Sequence, residues 1–148
     1  MSKDVLQRIR DGKIIAIIRG ISSENIVDLA EAIRKGGVSC AEVTFDQTSR
    51  ETIDDTLASI KKLCEHFGDE ICVGAGTVMN STQVWQAADA GAKYIISPNV
   101  DPEVIEETKR LGLVSIPGAM TPTEAAYAYS LGADIVKLFP AGVLARAT

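Results

Sequence analysis

The feature that most restricts the fold of this chain is a regular alternation of strand-like and helix-like segments. Short apolar runs rich in β-branched residues alternate with segments whose apolar residues recur at helical spacing. We predict strands at residues 13–19, 38–44, 71–75, 94–97, 114–116 and 135–139. Strands and helices that alternate in this way form a parallel sheet with right-handed crossover connections.

Capping residues mark the limits of the predicted helices. Asp101 and Thr121 each precede a proline at the first helical position, and Glu124 completes a capping box with Thr121. The helices are predicted from Ser22 or Ser23 to Lys35, over 51–67, from Ser81 to Ala90, from Asp101 to Leu111 and from Thr121 to Gly132. Because no linker or low-complexity segment interrupts the series, we predict a single domain over residues 1–148.

Composition and charge exclude several classes of partner. A formal net charge of -5 and a pI near 4.9 argue against nucleic acid or an anionic membrane. Apolar runs are short compared with the roughly 20 residues of a membrane span, and the N-terminus lacks the apolar core of a signal peptide, so we predict a cytoplasmic protein. Cys40, Cys64 and Cys72 lack C-x-x-C spacing and are predicted to be reduced, buried thiols.

Parallel βα repeats fold either as an open doubly wound sheet or as a (β/α) barrel. Arg19, Glu42 and Lys137 lie towards the C-terminal halves of three different predicted strands. In a barrel, one face of every strand points to a common axis, so the three side chains could converge at the C-terminal mouth. In an open sheet, helices packed on the face would more often separate them.

Each of these three residues also has a simpler interpretation. Lys137 lies in Asp134-Ile-Val-Lys-Leu-Phe-Pro140 and could reach water from an edge strand. Glu42 could be an edge or helix-facing carboxylate, and Arg19 a solvated residue at a strand end. Three ionisable residues from separate strands are nevertheless better explained by one shared polar centre.

The loops that follow the strands contribute glycine, proline and hydroxyl groups. Gly74-Ala-Gly-Thr-Val78 follows the third strand, and Ser97-Pro98-Asn99 follows the fourth. Neither loop contains G-x-G-x-x-G or G-x-x-x-x-G-K-[ST], so a nucleotide phosphate loop is rejected. Ordinary turn chemistry accounts for most of their composition.

Taken together, these motifs resemble one known family. The chain resembles the 2-keto-3-deoxy-6-phosphogluconate (KDPG) aldolase and 4-hydroxy-2-oxoglutarate aldolase family. The resemblance rests on the motifs I-I-R-G, A-E-V-T-F, V-G-A-G-T-V, I-I-S-P-N, S-I-P-G-A-M-T-P-T-E and I-V-K-L-F-P-A. The resemblance covers nearly the whole chain in the family's order. It implies a class I aldolase on a (β/α)₈ TIM-type barrel, usually a homotrimer, that acts on a 2-keto acid without metal or other cofactor.

The resemblance also implies roles for individual residues. Lys137 falls at the family's Schiff-base lysine and Glu42 at its acid/base glutamate, whereas Thr77, Pro98 and Phe139 match residues that line the pyruvate pocket. The chain departs from the family in one loop and at its C-terminal end.

Many members carry an arginine just after the second strand, where this chain has Asp46 and Gln47; others have one at the end of the first strand, where Arg19 stands. We therefore assign the substrate carboxylate to Arg19. The family continues beyond position 148 through two further strands with phosphate-binding loops, so the domain is predicted to be C-terminally incomplete.

The implied chemistry is consistent with the residues. A neutral lysine amine can condense with a 2-ketone, and the resulting iminium accepts electrons when the neighbouring C–C bond breaks. Apolar neighbours and a nearby Arg19 would disfavour the Lys137 ammonium and lower its pKa. Two other hypotheses stay open: a truncated, non-catalytic relic of the family, and an unrelated open-sheet module that binds a small molecule. We also expect unpaired edges on the first and sixth strands to promote self-association.

Overall fold

The computed structural model describes residues 2–144, which form six strands and seven helices. The strands are β1 (Ala16–Ile18), β2 (Cys40–Thr44), β3 (Cys72–Gly76), β4 (Tyr94–Ser97), β5 (Val114–Ala119) and β6 (Lys137–Leu138). The helices are α1 (Ser2–Gly12), α2 (Ile26–Lys35), α3 (Arg50–Phe67), α4 (Ser81–Asp89), α5 (Pro102–Arg110), α6 (Pro122–Ser130) and α7 (Ala141–Leu144).

All six strands are parallel and lie in the order β1-β2-β3-β4-β5-β6. A doubly wound sheet reverses its strand order at a switch point, whereas a barrel keeps neighbours in sequence order. The observed order therefore confirms the predicted barrel-type fold. Within the described residues, β1 and β6 are the two edges of an incomplete barrel wall.

The four central strands β2 to β5 bury both of their faces, as parallel strands usually do. On the outer face, alternate residues of β2 and β3 such as Val43 and Val73 pack against α2, α3 and α4. The inner face carries a second apolar cluster of Ile9, Cys40, Cys72, Tyr94, Ile96, Val114 and Ile116. Because Ile9 belongs to α1, this helix covers the inner face at the N-terminal ends of the strands. The sequence prediction did not include α1.

Tyr94 fills the centre of the inner face. Its ring is fully buried, and its hydroxyl donates to the carbonyl oxygen of Ala41 at 2.6 Å. The ring lies directly over Gly74, where an added Cβ would come within 2.1 Å of a ring carbon. Gly74 is therefore required by a close approach across the barrel interior and not by a turn.

Two helices begin at a different residue from the predicted cap. The N-cap of α2 is Asn25 and not Ser22 or Ser23, because Ser22 to Asn25 form a turn and the Ser23 N–H donates to Asp55. In α4 the cap is Asn80, whose side chain accepts from Gln83 N–H at 2.9 Å. The predicted caps Asp101 and Thr121 are confirmed, including the capping box with Glu124.

Both edge strands are shorter than predicted. Lys13 adopts a left-handed φ of 61° at the end of α1, so β1 begins only at Ala16. At the other edge, the amides of Asp134 and Ile135 both donate to the carbonyl oxygen of Ser115, and the Asp134 carboxylate accepts from the Ser115 N–H at 2.8 Å. This side-chain bond replaces a regular ladder step and limits β6 to two residues.

Within the described residues, no helix is both long and apolar enough to cross a membrane.

Gly74→Ala tests the packing of the barrel interior. The new methyl group would overlap the Tyr94 ring, which the Ala41 hydrogen bond and complete burial hold in place. We expect a loss of about 1–3 kcal/mol in the free energy of unfolding, as for other overpacked cores. Gly142→Ala is the matched control, since among the described residues no atom outside its own chain neighbours and helix backbone lies within 4 Å of its added Cβ. Urea denaturation of both variants measures the difference; equal stability would contradict the packing argument.

Candidate active site

Lys137 lies on the inner face of the sheet. It pairs in register with Gly118 of β5, and its half-buried Nζ lies 4.7 Å from the centroid of the Phe139 ring. Burial lowers the pKa of the Lys137 amine below its ordinary value of 10.5, and the charge of Arg19 lowers it further, whereas the charge of Glu42 raises it. The sequence predicts the two lowering effects, burial among apolar neighbours and the charge of Arg19. The interior interpretation of this lysine is therefore favoured over a solvated edge position.

Glu42 is the buried carboxylate of the inner face. Its side chain is only 5% exposed, and its Oε2 has no hydrogen-bond partner within residues 2–144. Burial raises the pKa of Glu42 above its ordinary value, while the charges of Lys137 and Arg19 act in the opposite direction. Gly76 provides the space for this carboxylate, because a Cβ there would lie 2.0 Å from Oε2.

Arg19 is exposed at the C-terminal end of β1 and points to the same centre. Its Nη2 donates to Thr77 Oγ1 at 3.3 Å, and its charge acts on both Glu42 and Lys137. Thr77 has a positive φ of 54°, which is unfavourable for a β-branched residue. The loop after β3 thus holds the Thr77 hydroxyl beside the guanidinium.

Pro98 and Phe139 complete the set that the sequence predicts. The Pro98 carbonyl lies against Gly118, the register partner of Lys137, since a Cβ on Gly118 would come within 2.3 Å of that oxygen. Phe139 is 44% exposed and provides the ring beside the Lys137 amine. Arg19, Thr77, Pro98 and Phe139 each directly follow a strand, whereas Glu42 and Lys137 lie within β2 and β6.

Sequence reasoning missed two parts of this site. Tyr94 reads as an ordinary strand residue, although its ring closes the space below Glu42. Gln47 and Gln83 are far apart in sequence, yet their amide groups bond to each other beside Thr77. A helix glutamine facing the apolar side of α4 is the one signal that could have indicated Gln83.

The opposite end of the sheet contains a cavity of about 380 Å³. Its lining includes Arg8, Cys72 and Lys93 but none of the six predicted site residues. In residues 2–144, no group of three or more histidine, cysteine, aspartate or glutamate side chains is arranged to hold a metal ion. The cavity is therefore separate from Arg19, Glu42 and Lys137.

A singly wound parallel β/α sheet with an interior lysine, a buried carboxylate and an arginine at its strand ends defines a barrel-type protein with a polar centre. The chain belongs to the KDPG and KHG aldolase family, whose model matches residues 5–146.

Individual relatives agree with this membership. The chain is 36% identical over 131 residues to a probable 2-dehydro-3-deoxy-6-phosphogalactonate aldolase of Rhizobium meliloti. The matched region covers 88% of this chain and 59% of the relative. It is 34% identical to a 2-dehydro-3-deoxy-phosphogluconate aldolase of Treponema pallidum, over 95% of this chain and 62% of the relative. The chain thus spans about three-fifths of the length of these relatives.

Solved structures share the fold. A KDPG aldolase from Legionella pneumophila, with pyruvate captured as a covalent carbinolamine intermediate, superposes with a TM-score of 0.75 at 29% identity. The superposition covers 87% of this chain and 59% of that structure. A native KDPGal structure reaches a TM-score of 0.79 at 32% identity over 88% of this chain and 60% of that one.

The electrostatic coupling of Lys137 predicts opposite effects of two substitutions. Glu42→Gln removes a negative charge and should lower the pKa of the Lys137 amine further, whereas Arg19→Gln removes a positive charge and should raise it. Competitive acetylation across a pH series, followed by peptide mass analysis, reports the pH at which Lys137 becomes reactive. Exposed Lys61 is the internal reference in each digest. Shifts in the same direction for both variants would contradict the arrangement.

Glu42→Gln should also stabilise the chain at neutral pH. Folding raises the pKa of the Glu42 carboxyl above its ordinary value of 4.5. The parent therefore loses stability as the pH rises from 4.5 through the higher pKa of the folded state. The neutral amide lacks this loss. We expect a gain of about 1 kcal/mol at neutral pH that disappears in acid.

Urea denaturation at several pH values measures this gain. Exposed Glu106→Gln is the control. An equal change in both variants, or a gain confined to acidic pH, would contradict the assigned effect of burial.

Proposed function

We propose that this chain carries the Schiff-base centre of a class I aldolase that releases pyruvate from a 2-keto acid. The observation that carries the proposal is Lys137 on the interior face, with a lowered pKa, in the same polar centre as the buried carboxylate Glu42. Such a lysine is neutral at a lower pH than an ordinary one and is available as a nucleophile. Membership of the aldolase family supports the same assignment.

In the proposed reaction the neutral Lys137 amine adds to the C2 ketone. Loss of water gives an iminium that joins Nζ to C2. The Glu42 carboxylate takes the proton of the C4 hydroxyl, and the C3–C4 bond breaks to release an aldehyde. The electron pair of the C3–C4 bond moves through C3 to the iminium nitrogen. The enamine is then protonated at C3, and water releases pyruvate and the free amine.

The remaining site residues are assigned to binding. Arg19 presents a planar fork of N–H donors that suits the carboxylate of the keto acid, and its bond to Thr77 brings a hydroxyl to the same position. Pro98 and Phe139 line the side next to Lys137. No residue in this proposal requires a cofactor.

The identity of the aldehyde half and the assembly are proposed from the relatives. Those proteins are named for phosphorylated sugar acids, so we propose a 2-keto-3-deoxy sugar acid phosphate or 4-hydroxy-2-oxoglutarate as substrate. A designed cage made by fusing symmetric oligomeric domains is 32% identical to this chain, over 88% of this chain and 46% of the cage chain. This similarity supports a homo-oligomer, with a trimer as the specific prediction. Cytoplasmic location and one domain over the chain stay predictions.

Covalent trapping tests the proposal. Pyruvate with borohydride should reduce the iminium and add a pyruvate-derived mass to Lys137, located by intact-mass analysis and peptide mapping. Lys137→Ala should abolish the addition, while the exposed lysines Lys61 and Lys93 should stay unmodified in the same digest. The absence of adduct, or an equal adduct in Lys137→Ala, would favour the non-catalytic relic or a simple binding module.

A further inference from the structure

A reciprocal pair of side-chain amides lies behind the candidate site. Gln83 Nε2 donates to Gln47 Oε1 at 2.6 Å, and Gln47 Nε2 donates back to Gln83 Oε1 at 3.2 Å. Gln47 belongs to the loop between β2 and α3, and Gln83 to the first turn of α4. The pair therefore joins the loop after β2 to the start of the helix that follows β3.

Gln83 is the fixed member of the pair. Its side chain is only 4% exposed, and its Oε1 also accepts from the Met79 N–H at 2.9 Å. A buried amide is stable only when its polar atoms are paired, and both ends of this one have partners. Removal of the amide would leave the Met79 N–H and the Gln47 amide without these bonds.

The two glutamines bond to the backbone at Thr77 and just after it. Gln47 Nε2 donates to the Thr77 carbonyl oxygen at 2.9 Å, and Gln83 accepts from Met79 two residues later. Thr77 has a positive φ of 54°, a conformation that a β-branched residue keeps only when its surroundings impose it. The same residue accepts the Arg19 hydrogen bond through its side chain.

We propose that Gln47 and Gln83 are positioning residues, which hold Thr77 in its left-handed conformation so that its hydroxyl and the Arg19 guanidinium form one site for the substrate carboxylate. This inference rests on the proposed aldolase function. The two amides contact Thr77 and the backbone beside it, and they act on the keto acid only through Thr77 and Arg19. Their loss should weaken carboxylate binding and leave the chemistry at Lys137 unchanged.

The test compares Gln47→Leu and Gln83→Leu with the parent chain. Leucine keeps most of the side-chain volume but removes the amide. We expect the pyruvate concentration for half-maximal borohydride trapping to rise roughly tenfold, while the trapping rate at saturating pyruvate stays unchanged. Gln86→Leu is the matched control: Gln86 lies on the same helix, half-buried, and within the described residues its side chain makes no hydrogen bond.

A second readout does not depend on catalysis. The three-bond coupling between the amide proton and Hα of Thr77 reports its φ by NMR, and it should move towards extended values in both leucine variants but not in Gln86→Leu. If Gln83→Leu fails to fold by circular dichroism, Gln47→Leu decides, because Gln47 is exposed and its replacement leaves the core intact.

Gln83→Glu provides a conservative rescue. A protonated carboxylic acid can donate to Gln47 Oε1 and accept from Met79, whereas a carboxylate can only accept. Relative to the parent at each pH, pyruvate half-saturation should therefore be closer to normal in mildly acidic than in mildly alkaline solution. A purely space-filling role for Gln83 would give no such pH dependence.

The outcomes separate this inference from the proposed function. Unchanged half-saturation and unchanged Thr77 coupling in both leucine variants would overturn the positioning role while trapping in the parent still supports the aldolase. If the parent forms no adduct, the aldolase proposal fails, and so does the carboxylate role of the pair. A changed Thr77 coupling in the leucine variants would then show that the pair has only a structural role.

Discussion

The candidate site depends on the burial of a carboxylate in the same polar centre as an amine on the inner face of a parallel sheet. Removing either charge from water is unfavourable, and each group is favoured by the other's charge. Glu42 lies in this position because Gly76 leaves room for its Oε2, while Tyr94 occupies the space over Gly74. An apolar layer therefore lies below the polar one.

The helix α1 and the Tyr94 ring make this arrangement possible from the other end. Ile9 of α1 packs with Cys40, Cys72 and Tyr94, so the N-terminal part of the inner face is apolar and excluded from water. Burial is the largest influence on both Glu42 and Lys137, and it acts in opposite directions on their pKa values. This apolar packing thus influences the protonation of Glu42 and Lys137, although the packed residues take no part in the proposed chemistry.

Sequence patterns predicted the strand–helix alternation and the face on which the charged residues lie, because period and capping are local properties. Arg19, Glu42 and Lys137 could be grouped from strand parity alone. The limits of the edge strands could not be predicted from the sequence, because the Lys13 backbone conformation and the Asp134 bond to Ser115 depend on tertiary contacts. Likewise, α1 acquires its role from the barrel interior that it covers, and the Gln47–Gln83 pair exists only once the loop after β2 lies beside the start of α4.

The two proposed catalytic groups place conflicting demands on their surroundings. A drier site favours the neutral amine that Lys137 needs, but it also favours the protonated form of Glu42, which could not accept a proton. Mutual attraction between Glu42 and Lys137 restores the carboxylate but also restores the ammonium. Arg19 acts against the conflict, because its positive charge lowers the pKa of both groups and so favours an ionised Glu42 together with a neutral Lys137, although burial has the larger effect on each. In the proposed mechanism one exposed guanidinium therefore prepares the acid/base pair as well as binding the substrate carboxylate, and a lysine in its place would lack the planar fork needed for bidentate binding.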